Sequence, residues 1–280
     1  MLLTAPTGST YRVPSGAVTA STSLTPVPSH ATTAHTKNAT YTELIAATAY
    51  DYHWLEINAG LASYSQQVLL DIAVGAASSE QVILANLQYH GSQSSIQPKG
   101  GNYLFPIFVK AGSRISATCQ SDSGTQGNTA IAITGHINSP IGGGGGSGSF
   151  VETIGAVTAS SIGTTVTPST TAHTKGALQE IGTFTYGVRW LIVSAGVAGS
   201  GSYSDQSLLV DLYVGATSGA AQPFAENIFF CGAASGDLLF EPNRGFPCKI
   251  PAGSKIWCKG QSTIGNNIDR LFDVILYGVS

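Results

Sequence analysis

Along much of the chain, short runs alternate apolar and polar residues, and clusters of Gly, Ser, Asn and Pro separate the runs. In Leu208-Leu209-Val210-Asp211-Leu212-Tyr213-Val214, residues Leu208, Val210, Leu212 and Val214 share one face of an extended strand. In Leu271-Phe272-Asp273-Val274-Ile275-Leu276-Tyr277, Phe272, Val274 and Leu276 face one side, and Asp273, Ile275 and Tyr277 the other. In the first half the pattern predicts strands over residues 41–50, 53–59, 68–76, 82–87, 103–109, 114–120 and 129–137, with turns at 60–63, 77–80, 98–102, 110–112 and 122–124. No window keeps an apolar stripe at i, i+3, i+4, i+7 long enough for a sizeable helix. Strands of this kind want one buried and one wetter face, which two antiparallel sheets packed face to face provide.

The pattern is written twice. Thr33-Ala34-His35-Thr36-Lys37 returns as Thr171-Ala172-His173-Thr174-Lys175, and Gly16-Ala17-Val18-Thr19-Ala20-Ser21 as Gly155-Ala156-Val157-Thr158-Ala159-Ser160. Trp54-Leu55-Glu56-Ile57 is matched by Trp190-Leu191-Ile192-Val193, Leu69-Leu70-Asp71-Ile72 by Leu209-Val210-Asp211-Leu212, and Ala111-Gly112-Ser113-Arg114-Ile115 by Ala252-Gly253-Ser254-Lys255-Ile256. A solenoid unit repeats every ~20–50 residues, so a period this much longer implies that each copy is a complete domain with its own core. Between the copies runs Ile141-Gly142-Gly143-Gly144-Gly145-Gly146-Ser147-Gly148-Ser149, a flexible coil spanning about 17 Å on average. The expected organisation is an arm at residues 1–15, a domain at 16–138, a Gly-rich linker at 139–152 and a second domain at 153–280. The expected fold is all-β, with two tandem antiparallel β-sandwiches. About eight strands per copy is the jelly-roll count. Whether residues 1–15 form an ordered arm or a frayed tail stays open.

Composition narrows the functions available. Hydrophobic residues make up 42% and charged residues 10%, well below the ~25% charge usual in soluble domains. Such a surface suits packing against other proteins, because charge is depleted at interface cores. A net charge of −3 without clustered Lys and Arg leaves no footprint for nucleic acid. The start lacks a basic region followed by an apolar run, and no apolar stretch approaches the ~20 residues of a membrane helix. The expectation is a soluble protein made in a cytoplasm.

Candidate chemistry is sparse. The repeated His35 and His173 have Lys37 and Lys175 nearby, but no acid or nucleophile accompanies them at the spacing of a triad, so they are read as structural. Asp71 and Asp211 lie mid-strand among apolar residues and are read as lone carboxylates bonded on a sheet face. Trp54 and Trp190 occupy equivalent positions and suit core anchoring or sheet-face packing, with a sugar-stacking platform as the alternative. Of the four cysteines, Cys119 stands alone in the first copy, while Cys231, Cys248 and Cys258 lie in the second. A framework essential to the fold would recur in both copies, so free thiols are expected; a Cys231–Cys248 or Cys248–Cys258 bridge stays open. With no C-x-x-C pair, no zinc site is expected. No catalytic, cofactor or metal residues are assigned, and no enzyme activity is expected.

Thr171-Ala172-His173-Thr174-Lys175-Gly176, Leu69-Leu70-Asp71-Ile72-Ala73-Val74-Gly75-Ala76 and Phe105-Pro106-Ile107-Phe108-Val109-Lys110-Ala111-Gly112-Ser113 resemble a pattern in structural proteins of tailed bacteriophages. The resemblance covers both copies and implies a virion protein with no catalytic residues to carry over. The function expected on that basis is capsid decoration, or cementing, in which the protein binds the major capsid protein and bridges capsomers. A homo-oligomer is expected, with a trimer of six similar domains as one form. The alternative is a tail or head-fibre adhesin that binds host glycans, with Tyr64 and Tyr203 as loop-borne contacts.

Overall fold

The computed structural model describes residues 12–15, 31–61, 67–90, 101–121, 129–137, 150–156, 163–197, 206–232, 244–265 and 270–280. The first half contributes β1 (Arg12–Ser15), β2 (Thr42–Ile45), β3 (Trp54–Leu61), β4 (Gln67–Val74), β5 (Gln81–His90), β6 (Gly101–Phe105), β7 (Ile115–Ser121) and β8 (Thr129–His136). The second contributes β9 (Val151–Ile154), β10 (Thr164–Val166), β11 (Gln179–Phe184), β12 (Val188–Val197), β13 (Gln206–Val214), β14 (Gln222–Gly232), β15 (Arg244–Ile250), β16 (Ser254–Ser262) and β17 (Phe272–Val279). Among the described residues there is no α-helix, only a 3₁₀ turn at Ser218–Ala220.

Every pairing is antiparallel, and the strands form four sheets: β1-β8-β3-β6, β2-β7-β4-β5, β10-β17-β12-β15 with β9 also beside β17, and β11-β16-β13-β14. Counted from β10, the second half has the order first-eighth-third-sixth in one sheet and second-seventh-fourth-fifth in the other. Two interleaved Greek keys of that order make a jelly roll. In the first half, β2 to β8 repeat the order, and β1 lies on β8 as β9 lies on β17. Paired strands therefore begin at Arg12, inside the segment read as an arm, and at Val151, inside the segment read as linker. Residues 1–11 and 138–149 lie outside the described residues.

The alternation sets the core. Leu208, Val210 and Leu212 meet Leu191, Val193, Phe272, Val274 and Leu276 across the second sandwich. Leu55, Ile57 and Ile133 meet Val68, Leu70 and Ile72 across the first. The two cores solve one packing problem differently. Cys119 is wholly buried opposite Leu70, whereas the matching position, Gly260, lies opposite Val210, and its missing side chain is replaced by the Phe272 ring. Gly135 lies under the Tyr52 ring, where any Cβ would come within 2.4 Å of ring carbon.

The expectation of one wetter face fails for β17, all of whose residues are buried. Its Phe272 side faces its own core, while Ile275, Tyr277 and Val279 join the hydrophobic cluster of the first sandwich. The outer face of one sheet is thus covered by the other half of the chain.

Gly135→Ala is expected to destabilise the protein by about 1–3 kcal/mol through overpacking against Tyr52. In chemical denaturation, the Gly135→Ala, Tyr52→Ala pair should lose less than the two single changes added together.

Candidate functional site

The repeated Thr-Ala-His-Thr-Lys segments run along the edge of β7 in one half and of β16 in the other. His35 and His173 both take a left-handed backbone, φ 57° and 60°. Their amides donate to Ser121 O at 2.6 Å and Ser262 O at 2.8 Å. Three residues on, the Asn38 amide donates to Cys119 O and the Gly176 amide to Gly260 O, at 3.2 and 2.9 Å. What the repeat preserves at the histidines is a turn onto a sheet edge.

That turn aims each lysine across the sheet at the mid-strand aspartate. Lys37 Nζ donates to Asp71 Oδ2 at 2.5 Å, and Lys175 Nζ donates to Asp211 Oδ2. The other oxygen of each carboxylate accepts a backbone amide, Asn86 N–H at 2.7 Å and Asn227 N–H at 2.8 Å. Asn86 and Asn227 are left-handed, φ 57° and 56°, at the bulges where β5 and β14 slip register against β4 and β13. Each carboxylate thus ties three elements together: the turn, the central strand and the bulged edge strand. The expectation of lone carboxylates is corrected. Sequence spacing hid the partners, because the ion pairs span 34 and 36 residues.

The aspartate side chains are 7% and 1% exposed and the lysines 28% and 26%. Removing one partner from such a pair costs more than the pair is worth, because it strands a desolvated charge. In the second half Lys259 lies cross-strand from Asp211 and holds its amine 4.7 Å over the Tyr213 ring. Its pKa is raised first by the hydrogen bond to Tyr213, with Asp211 and Glu226 adding to it. A second ion pair recurs at the sheet edge: Arg114 Nε donates to Glu43 at 2.9 Å, and Lys255 Nζ to Glu180 at 3.0 Å.

The other concentration of buried polar groups lies between the halves. Tyr277 OH accepts Gln88 N–H and donates to Asn86 O, both at 2.8 Å. Ser194 Oγ donates to Gln88 Oε1 at 2.9 Å, Thr153 Oγ1 to Ala85 O at 2.8 Å, and Tyr103 OH to Gln88 O. The Tyr103 and Phe105 rings stand edge-on to Tyr277. Burial, then the Tyr103 hydroxyl, raises the Tyr277 phenol well above its ordinary range. β5 is an edge strand, so these hydroxyls satisfy main-chain groups that would otherwise need water.

Trp54 and Trp190 lie on outer sheet faces and meet edge-on, ring centroids 5.7 Å apart. They pack the two halves together and are not the anchors of the separate cores. Sequence reasoning missed His136, wholly buried with Nε2 3.0 Å from Glu56 Oε2. The matching residues are Val279 and Ile192, so no repeat flagged it. Cys119, Cys248 and Cys258 are free thiols. Burial pushes the Cys248 thiol up to about 11 and, with Asp211 adding, the Cys258 thiol further. Tyr64, Tyr203 and the Cys231 side chain lie outside the described residues. A recess of about 180 Å³ is lined by His173, Leu209, Phe229, Gln261 and Thr263. Among the described residues, no cluster of three His, Cys, Asp or Glu is grouped for a metal, and no helix is long and apolar enough to cross a membrane.

Protein-family models give no match to this chain, and curated proteins give none either. The resemblance to phage structural proteins rests on the residues quoted for it.

Lys175→Met is expected to lower stability by about 3 kcal/mol, because it removes the cation bonded to the buried Asp211 carboxylate. Adding Asp211→Asn should recover part of that loss in the same denaturation assay.

The Tyr277 phenol stays protonated in the folded chain at a pH where an exposed phenol ionises. Its contribution to stability is complete below pH 10.0, the ordinary phenol value, and is lost as pH rises above it. Tyr277→Phe should lower stability at pH 8 by about 1–3 kcal/mol, through the amide and carbonyl it strands. It should also flatten the alkaline decline in thermal melts.

Proposed function

We propose that this is a non-enzymatic structural protein of a phage virion that decorates the capsid, binds the outer shell and bridges capsomers. One observation carries the reading: the polar residues repeated in both halves are spent on holding sheets together. His35 and His173 turn the chain onto sheet edges, and Lys37, Lys175, Asp71 and Asp211 latch the strands. What duplication kept is a scaffold and the surfaces it presents. The domain boundaries near residues 16–138 and 153–280, joined by the Gly-rich linker, belong to the same proposal, as do homo-oligomerisation and a place in the virion after assembly in the host cytoplasm. Two tethered sandwiches bind a repeating shell well, because docking one raises the effective concentration of the other.

A second reading, a fibre adhesin for host glycans, draws on exposed aromatics. Tyr50 and Tyr186 occupy equivalent loops and are 47% and 53% exposed. Loop-borne rings of this kind can stack on sugars, although Phe150 already meets the Tyr186 ring at 4.8 Å.

Purified protein is expected to co-sediment with capsids stripped of decoration and to leave host cells and envelope polysaccharide in the supernatant. Binding to cells but not capsids would establish the adhesin reading, and loss of that binding in Tyr50→Ala, Tyr186→Ala would locate it.

A further inference from the structure

Within one chain the sandwiches meet head to tail. The first offers the β5 and β6 edge, with Ala85, Asn86, Gln88, Tyr103 and Phe105. The second offers the outer face of β9, β17 and β12, with Thr153, Ser194, Ile275 and Tyr277. Each half thus uses one of two surfaces and leaves the other.

The unused edge is that of β14 and β15. Phe229 pairs with Leu209 in the register in which Gln88 pairs with Leu69. The Phe229 N–H therefore lies on the outward side of its strand, as the Gln88 N–H does when it meets Tyr277. Phe229 is 41% exposed although it is a large apolar side chain on an edge strand, the feature folded chains ordinarily cover. The unused surface is the outer side of β3 and β8 beyond Trp54, which already meets Trp190. There Asn58, Ala132 and Thr134, half-buried, hold the places of Ser194, Ile275 and Tyr277.

We propose that a second copy of this chain fills both, its β14–β15 edge docking on the outer face of β3 and β8 and so continuing the internal interface from chain to chain. Heterologous contacts close into rings when the step is a rotation and run into filaments when it climbs. The tryptophans separate the two cases. A rigid step carrying the first sandwich onto the second moves every point by at least its translation along the axis. Trp54 and Trp190 are equivalent points 5.7 Å apart, so the climb per sandwich is no greater than that. The step is therefore mostly rotation, with the tryptophans near the axis, a geometry that favours a closed ring over an extended filament. This deepens the oligomer part of the proposed function. It stands if capsid binding fails and falls if the protein is a monomer.

The test is mass by light scattering and native mass spectrometry on the full chain. Wild type should give a discrete multiple of 28.7 kDa that does not grow with concentration. Phe229→Glu and Thr134→Arg should each give monomer with a thermal midpoint close to wild type. Each variant keeps the surface the other lacks, so an equimolar mixture should form a 1:1 dimer and stop. A monomeric wild type, a mass that rises without limit, an oligomer that survives both variants, or variants that stay monomeric when mixed would each overturn the proposal.

Discussion

Two buried carboxylates hold this architecture in register. A β-bulge leaves an edge strand with an amide that its neighbour does not meet, and a jelly roll has its edge strands where solvent and other chains can compete for them. Asp71 and Asp211 take that amide on one oxygen and a lysine on the other, so edge strand, central strand and incoming turn are fixed by one group. The arrangement requires a left-handed asparagine at the bulge and a left-handed histidine at the turn, and both halves have both. The charge is tolerated in so dry a place because each oxygen is bonded.

The junction between the halves extends the same logic. The β5 edge is capped by hydroxyls from the other half, with Tyr277 both accepting from and donating to its backbone. That contact is asymmetric, since an edge meets a face, while the two tryptophans meet as counterparts. The divergence between the copies follows from it. Where the second half has Ile192, Tyr277 and Val279, buried, the first has Glu56, Thr134 and His136, with Glu56 reaching solvent and bonding the buried His136. Each set suits the surroundings its sheet face has within the chain.

On the proposed reading, a chain organised in this way works through its surfaces. Its conserved-by-repetition polar groups are consumed internally, and its low charge fits faces that meet protein. The capsid reading gives those faces a repeating substrate, and the proposed chain-to-chain contact would let the chain repeat itself.

The alternation of Leu208, Val210 and Leu212, and of Phe272, Val274 and Leu276, determined the strand faces, because a period of two admits one assignment of inside and outside. The repeat determined that the plan occurs twice, and turn residues placed most strands within a few positions. Three things were decided only in three dimensions. The partners of Asp71 and Asp211 come from segments that sequence separates and sheet order brings together. The burial of Ile275 and Tyr277 on the second face of β17 depends on the other half of the chain, which local alternation cannot report. The side-chain volume traded between Cys119 and Phe272 across different strands leaves no trace in either stretch alone, since packing is a property of the space between elements and not of the elements themselves.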